Sequence, residues 1–299
     1  MNARIKLTLA LASVTALSLA GCGSNSLSGE PAGSTAPSAS VSVSQNSDLA
    51  VKLPEKVKAS GTIVIGTDAS YAPNEFLASD GKTVQGMDVD LFNAVAAKFG
   101  VKTQWQPADF TSIITGVQGK KYDIGISSFT INAERKKQAT MVSYFSAGTQ
   151  WATAKGNPKG VDIDKPCGKT IAVQTGTVQE TEDLPIRKKD CDPSQKINVL
   201  SYERQDQATA AVVSGKADAM LADSPVTAYA VKQAGGKLEA LDDVYEAAPY
   251  GYVLPKADTE FAQAIADALK ELNTDGSYSK VLTKWGLQAG AVTDFSVNP

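Results

Sequence analysis

Asp68, Ser127, Ser128, Thr130, Gln174, Thr175, Thr177 and Asp223 each stand just after a stretch that reads as a β-strand. In an open α/β sheet that zone, beyond the carboxyl ends of the strands, is where ligands bind. The run SSFTINAERKK, from Ser127 to Lys137, adds three cations at what should be a helix amino terminus, a place the macrodipole makes unfavourable for positive charge. An anion is therefore expected nearby. Arg135 carries the planar fork that grips a carboxylate, and hydroxyls and amides of Ser128 and Thr130 would complete the seat. The competing reading, a solvated basic face, suits Lys136 and Lys137. Asp223 precedes Ser224-Pro225, with proline at a natural first helical position, so it could simply cap a helix. Set opposite Arg135 across a cleft, it would instead supply the second of the two charges a zwitterion needs. Tyr71, Phe76 and Phe110 fall on loops near strand ends, where rings can wall a small ligand while Asp68 and Gln174 touch it with polar atoms; the same rings would serve equally as core.

The scaffold for these positions is an alternation of strand and helix periods. Thr62 to Gly66 reads as a strand, Asp88 to Phe99 as a helix, Val101 to Trp105 as a strand, Phe110 to Gln118 as a helix and Tyr122 to Ile126 as a strand. In the first helix Asp88 or Asp90 is expected to cap the opening turn, and Gly100 to supply the left-handed stop. The alternation restarts with Thr170 to Gln174, then Lys196 to Leu200, a helix over Gln205 to Ser214, Ala217 to Ala222 and a helix over Val226 to Ala234. Leu238 to Leu241 and Tyr250 to Leu254 read as strands, and Glu260 to Leu272 and Tyr278 to Trp285 as amphipathic helices. The pattern is that of two α/β units of similar design.

The 299 residues include no histidine, which removes Ser-His-Asp and Cys-His nucleophile chemistry and the common zinc motifs. Twenty-nine basic against thirty-two acidic residues give a net charge of −3, and no basic block is long enough to follow a phosphate backbone, so no nucleic-acid partner is expected. No cofactor or metal site is indicated. Three cysteines in no C-x-x-C spacing cannot build a structural zinc site. Cys167 and Cys191 flank the first βα segment of the second unit and, in an exported chain, are expected to form a disulfide.

Export is read from the first residues. A positive start with Arg4 and Lys6 precedes an apolar stretch from Leu7 to Ala20 that is short for a bilayer span, so residues 1–21 read as a signal peptide. Leu19-Ala20-Gly21-Cys22 resembles the bacterial lipobox, which implies cleavage before Cys22 and lipidation of its thiol. The lipid would then be the only attachment to the membrane, on its outer face. Loss of residues 1–21 takes away two cations and no acid and moves the net charge from −3 to −5. Residues 22–48 are rich in Ser, Gly, Ala and Pro and are expected to be a flexible stalk, holding the body about 25 to 30 Å from its anchor.

Four stretches together resemble the family 3 solute-binding proteins, receptors of polar amino acid ABC importers: Gly66 to Pro73, Gly86 to Phe92, Asp123 to Arg135, and Val173 to Thr177. The similarity in order and spacing runs from about Ser60 to Gly286. It implies an α/β fold, the two-lobed clamshell of type II periplasmic binding proteins, with two crossover strands at the hinge. Residues 49–150 plus 248–299 would form lobe 1 and residues 151–247 lobe 2. It also implies roles residue by residue. Arg135 matches the arginine that holds a ligand α-carboxylate, assisted by Ser128 or Thr130 and Thr177, and Asp223 matches the acid that holds the α-ammonium. Tyr71 and Phe110 match aromatic walls, Asp68 and Gln174 match positions at the side-chain tip, and Ser127 lines the cleft. Members that bind glutamine generally have lysine where this chain has Gln174; without that cation Asp68 has no obvious internal partner, so arginine or lysine is expected ahead of glutamine or another neutral polar amino acid. Asn74 and Phe129 depart from the family pattern. The implied partners are a free amino acid and an ABC permease, with the receptor a monomer and not an enzyme. The rival is a cyclohexadienyl dehydratase acting on prephenate or arogenate, which shares the clamshell and also needs a carboxylate clamp.

Overall fold

A computed structural model describes residues 43–299; the expected signal peptide, Cys22 and residues 23–42 of the expected stalk lie outside that range. The strands in chain order are β1 (Thr62–Thr67), β2 (Ser70–Tyr71), β3 (Glu75–Leu77), β4 (Val84–Gln85), β5 (Lys102–Pro107), β6 (Ile124–Gly125), β7 (Thr140–Ala154), β8 (Thr170–Gln174), β9 (Asn198–Tyr202), β10 (Ala219–Asp223) and β11 (Leu238–Leu254). Eight of them make one mixed sheet in the order β5-β1-β6-β11-β7-β10-β8-β9, and β2, β3 and β4 make a small antiparallel sheet beside it. β1 pairs parallel with β5 and β6, and β8 parallel with β9 and β10, so each end of the large sheet is a small parallel unit. Parallel strands need both faces covered, which is why Ile63, Ile65, Ile171 and Val173 are completely buried.

The two ends are joined by β7 and β11, which run antiparallel along their whole lengths from Thr140 opposite Leu254 to Ala154 opposite Leu238. The expected crossings near Gln150 and Ala248 fall inside these strands. Of β11 only the two ends read as strand in the sequence. Its middle is exposed, and register shifts there put Asp242 and Glu246 at positive φ, which breaks the alternation. β7 did not read as a strand at all. It is buried on both faces and so has no period, and its Ser, Gly, Thr and Gln residues resemble a loop.

Apolar packing follows the same division. The helix over Met87–Phe99 buries Leu91, Phe92, Val95 and Phe99 in one cluster with Phe261, Ile265 and Leu269 of the helix over Thr259–Thr274. A separate cluster gathers Trp151, Ile171, Leu184 and Leu221 at the other end. Gly100 closes the Met87–Phe99 helix at φ 70°, as expected, but neither aspartate caps it. Gly86 takes the cap position with no side-chain bond. Asp90 turns outward to Lys284 and Trp285, and Asp88 turns inward to be fully buried.

The chain is packed against the body before residue 48, the expected end of the stalk. The Asn46 amide donates to the Lys98 carbonyl at 2.8 Å, its side chain donates to Glu271 at 2.6 Å, and Leu49 of the helical turn Ser47–Ala50 is buried. Cys167 and Cys191 form a disulfide across 24 residues. In the chain-entropy account a loop of that size contributes roughly 3 kcal/mol. The Cys167→Ser, Cys191→Ser double variant is therefore expected to lose about that much in urea unfolding, and an unchanged midpoint would contradict it.

Candidate binding site between the two sheet halves

Arg135 sits in a helix of only six residues, Ala133–Gln138, whose cap Asn132 accepts from the Arg135 amide at 2.8 Å. Arg135, Lys136 and Lys137 form its last turn, where the macrodipole favours cations, so the expectation of an anion drawn from that dipole is overturned. Burial makes the case for Arg135 instead. The residue is 8% exposed, Nη1 donates to the Thr130 carbonyl at 2.8 Å, and Nη2 reaches across to the Gly176 carbonyl at 3.2 Å. The guanidinium lies over the stacked rings of Phe110 and Phe129, 5.5 and 5.4 Å from their centroids. Phe129, a departure in the sequence, thus becomes the second face of an arginine seat. Lys136 and Lys137 point away, to the Pro299 carbonyl and to Glu134.

Asp223 ends β10 at the cap position of the helix Ser224–Gln233, yet it makes no capping bond. Its Oδ1 accepts from Gln179 Nε2 at 2.7 Å and its Oδ2 from the Tyr250 hydroxyl at 2.6 Å, while its amide donates to the Tyr71 hydroxyl at 3.4 Å. Burial pushes the Asp223 carboxyl above the usual range, and the bonds from Tyr250, Gln179 and Tyr71 and the charge of Arg135 pull it back. Burial likewise lowers Arg135, countered first by Asp223. No ion pair joins the two, so each charge remains free to meet a third group.

Arg135 and Asp223 line one narrow cavity of about 10 Å³, room for no more than a water molecule as the jaws stand, with Tyr71 and Phe110 as aromatic walls. Ser127, Ser128 and Thr130, from the loop after β6, and Thr177, from the loop after β8, complete its rim. Thr175 is not brought there; its amide extends the ladder to the Tyr202 carbonyl. Phe76 also leaves the cleft and packs on Tyr229 and Trp285. Gln179 and Tyr250, which the sequence reading missed, hold the Asp223 carboxylate. Gln179 lies two residues past Thr177 in the same βα turn, a signal that was available; Tyr250 looked like an ordinary strand residue.

Asp68 and Gln174 lie just behind the lining. Gln174 Nε2 donates to Asp68 Oδ2 at 2.8 Å, and the Asp68 amide donates to Ser127 Oγ at 3.0 Å. The expectation that Asp68 lacks an internal partner is corrected: it has one, but a neutral amide. Burial pushes the Asp68 carboxyl upward, opposed by Ser70, by the charge of Arg204 and by Gln174. Arg204 is itself engaged with Asp206 at 2.6 Å.

The two halves meet around this cavity. Asn132 Nδ2 donates to Glu182 at 2.6 Å and the Gln205 amide to Ser70 Oγ at 3.1 Å. Gly176, at φ 79°, approaches Thr111 so closely that a Cβ would lie 2.7 Å from its methyl group. Two jaws on a paired-strand hinge, with a charged and aromatic cavity between them, define a clamshell binding protein.

Comparison with known proteins places it further. Residues 63–288 match the profile of bacterial extracellular solute-binding proteins, family 3, and the chain belongs to that family. It is 34% identical over 286 residues to the arginine-binding protein ArgT of Corynebacterium glutamicum, covering 95% of this chain and 92% of that one. It is 32% identical to the lysine/arginine/ornithine-binding periplasmic protein of Escherichia coli, covering 75% and 87%. Among solved structures, an ancestral arginine-binding protein bound to arginine superposes with a TM-score of 0.70 at 33% identity, covering 75% of this chain and 98% of that one. The expected type II clamshell is thereby borne out. Among the described residues no helix is long and apolar enough to cross a membrane.

Proposed function

We propose that the protein is an extracytoplasmic receptor that closes on a polar amino acid, arginine or lysine ahead of glutamine, and delivers it to an ABC importer. The observation that carries this reading is the unpaired placement of Arg135 and Asp223, presented to one cavity by separate jaws. An α-carboxylate would meet the guanidinium and an α-ammonium would meet the aspartate, so closure is stabilised only when both ends of the zwitterion are present. Residues 49–150 with 248–299 act as one jaw and residues 151–247 as the other. The relatives named for arginine and for lysine, arginine and ornithine support the choice of ligand.

Asp68 supports it on chemical grounds. A guanidinium or ammonium at the ligand tip would replace the Gln174 amide as its donor and give the buried carboxylate the cation it lacks. Asp68→Asn is expected to weaken arginine binding by about ten- to a hundredfold, the worth of a charged hydrogen bond, while changing glutamine binding less. An equal loss for both ligands in calorimetry would contradict the assignment.

The function itself is tested by a thermal-shift screen of the purified protein against the standard amino acids. A cationic amino acid is expected to raise the melting temperature by mass action and to be recovered unchanged. Turnover of prephenate or arogenate would overturn the reading in favour of the dehydratase. Lipidation at Cys22 and docking of the shut monomer on a permease complete the proposal; loss of membrane association in Cys22→Ala is the expected sign of the anchor.

A further inference from the structure

Behind the cavity floor two carboxyl groups are buried together. Glu75, at the start of β3, and Asp88, in the first turn of the Met87–Phe99 helix, are both completely buried, and among the described residues neither forms an ion pair. Gly86 makes the encounter possible: at φ 143° it lies so close to the Asn74 carbonyl that a Cβ would sit 2.0 Å from it. Ser128 joins the two acids, its hydroxyl donating to Glu75 and its amide to Asp88. Asp88 Oδ2 accepts from the Tyr144 hydroxyl at 2.7 Å and from the Ser128 amide at 3.3 Å, whereas Oδ1 is buried with no donor. The Glu75 oxygens accept from the hydroxyls of Ser127 and Ser128, each at 3.2 Å, and Asn74 Nδ2 donates to Ser128 Oγ at 2.9 Å. Those two serines line the cavity.

We propose that Glu75 and Asp88 share one proton, carried on Glu75 and donated to Asp88 Oδ1, and that the pair acts as a set of positioning residues for the Ser127 and Ser128 hydroxyls. Two like charges buried side by side without a cation are costly, and a single proton both removes one charge and fills the orphaned oxygen. The groups whose charge reaches the pair add to this: Asp68 faces Glu75, and Tyr71, Tyr144 and Tyr252, all neutral, surround the two acids. Burial, then the neighbouring Asp88, pushes Glu75 well above the usual carboxyl range, and burial also pushes Asp88 up. The positioning role rests on the receptor reading given above; the shared proton does not.

A raised folded pKa makes stability complete below the ordinary carboxyl range and erodes it as pH rises toward the folded value, by up to tenfold in the folding constant per pH unit for one extra bound proton. Asp68 and Asp223, also raised by burial, contribute to the same fall, so the quantity read is the difference between parent and variant. In urea unfolding of ligand-free full-length protein from about pH 5 to about pH 8, Glu75→Gln is expected to gain on the parent steadily as pH rises. A difference that stays constant with pH overturns the shared proton. Infrared spectroscopy of the parent gives a second reading if the variant does not fold: the carbonyl band of a protonated carboxyl is expected at neutral pH, and its absence overturns the proposal. For the positioning role, Glu75→Leu is expected to lose at least about tenfold in amino-acid affinity, a charged hydrogen bond's worth, with Glu75→Gln restoring most of it. Parent-like affinity in Glu75→Leu overturns that role. Failure of the parent itself to bind any amino acid would count against the receptor reading alone, since the unfolding and infrared results judge the proton pair without ligand.

Discussion

Arg135→Ala is expected to bind its amino acid about thirtyfold to several thousandfold more weakly than the parent in calorimetry, a loss of about 2 to 5 kcal/mol. The size follows from burial. A carboxylate drawn into this cavity leaves its water behind, and among the described residues the guanidinium is the only cation that lines the space. Its fork is already aimed by the Thr130 and Gly176 carbonyls and by the rings of Phe110 and Phe129, so little ordering remains to be done on binding. Arg135→Lys should recover only part of the loss, because an ammonium cannot meet both carboxylate oxygens and both carbonyls in one plane. The bond to Gly176 crosses between the jaws, so the alanine variant is also expected to favour the open form, seen as a larger radius in X-ray scattering with ligand present. Unchanged affinity in Arg135→Ala would remove the residue from the site.

Asp223→Asn is expected to lose affinity on the same scale, about 2 to 5 kcal/mol, yet without ligand to unfold no earlier than the parent at neutral pH. Both halves of that expectation come from the same carboxylate. With ligand, it would be the negative partner of a desolvated ammonium. Without ligand, it is a buried charge whose folded pKa is raised, so its contribution to stability is present in acid and is lost as pH rises through the folded value. An amide removes that loss and retains partners in Gln179 and Tyr250. A variant that binds normally, or that fails to bind only because it is unfolded, would contradict the role. Tyr250→Phe is expected to weaken binding less, since it removes one of the groups that aim Asp223 but leaves the charge.

Much of this was legible in the sequence because strand ends and charges are local signals. Asp68, Ser127, Gln174 and Asp223 were found simply as polar residues that follow apolar runs, and the alternation of periods gave most of the helices. Three kinds of feature were not legible. The hinge strand Thr140–Ala154 has no period because it is buried on both faces, and the middle of Leu238–Leu254 is interrupted by bulges. The short helix that carries Arg135 put its cations at the last turn, so the dipole argument for Arg135 fails and its burial beside the cavity takes that argument's place. Asp88 shows the third kind. Its spacing reads as a helix cap, and only the approach of Glu75 and Tyr144, brought from elsewhere in the chain, makes it an interior acid.

The claim that opposite charges on separate jaws clasp one dipolar ligand is tested most directly by titrating the parent protein, in a calorimeter, with arginine, with its decarboxylated analogue agmatine and with its deaminated counterpart. Arginine is expected to bind at least about thirtyfold more tightly than either analogue, because each lacks one of the two groups that Arg135 and Asp223 would hold. Agmatine or the deaminated compound binding as tightly as arginine would contradict it.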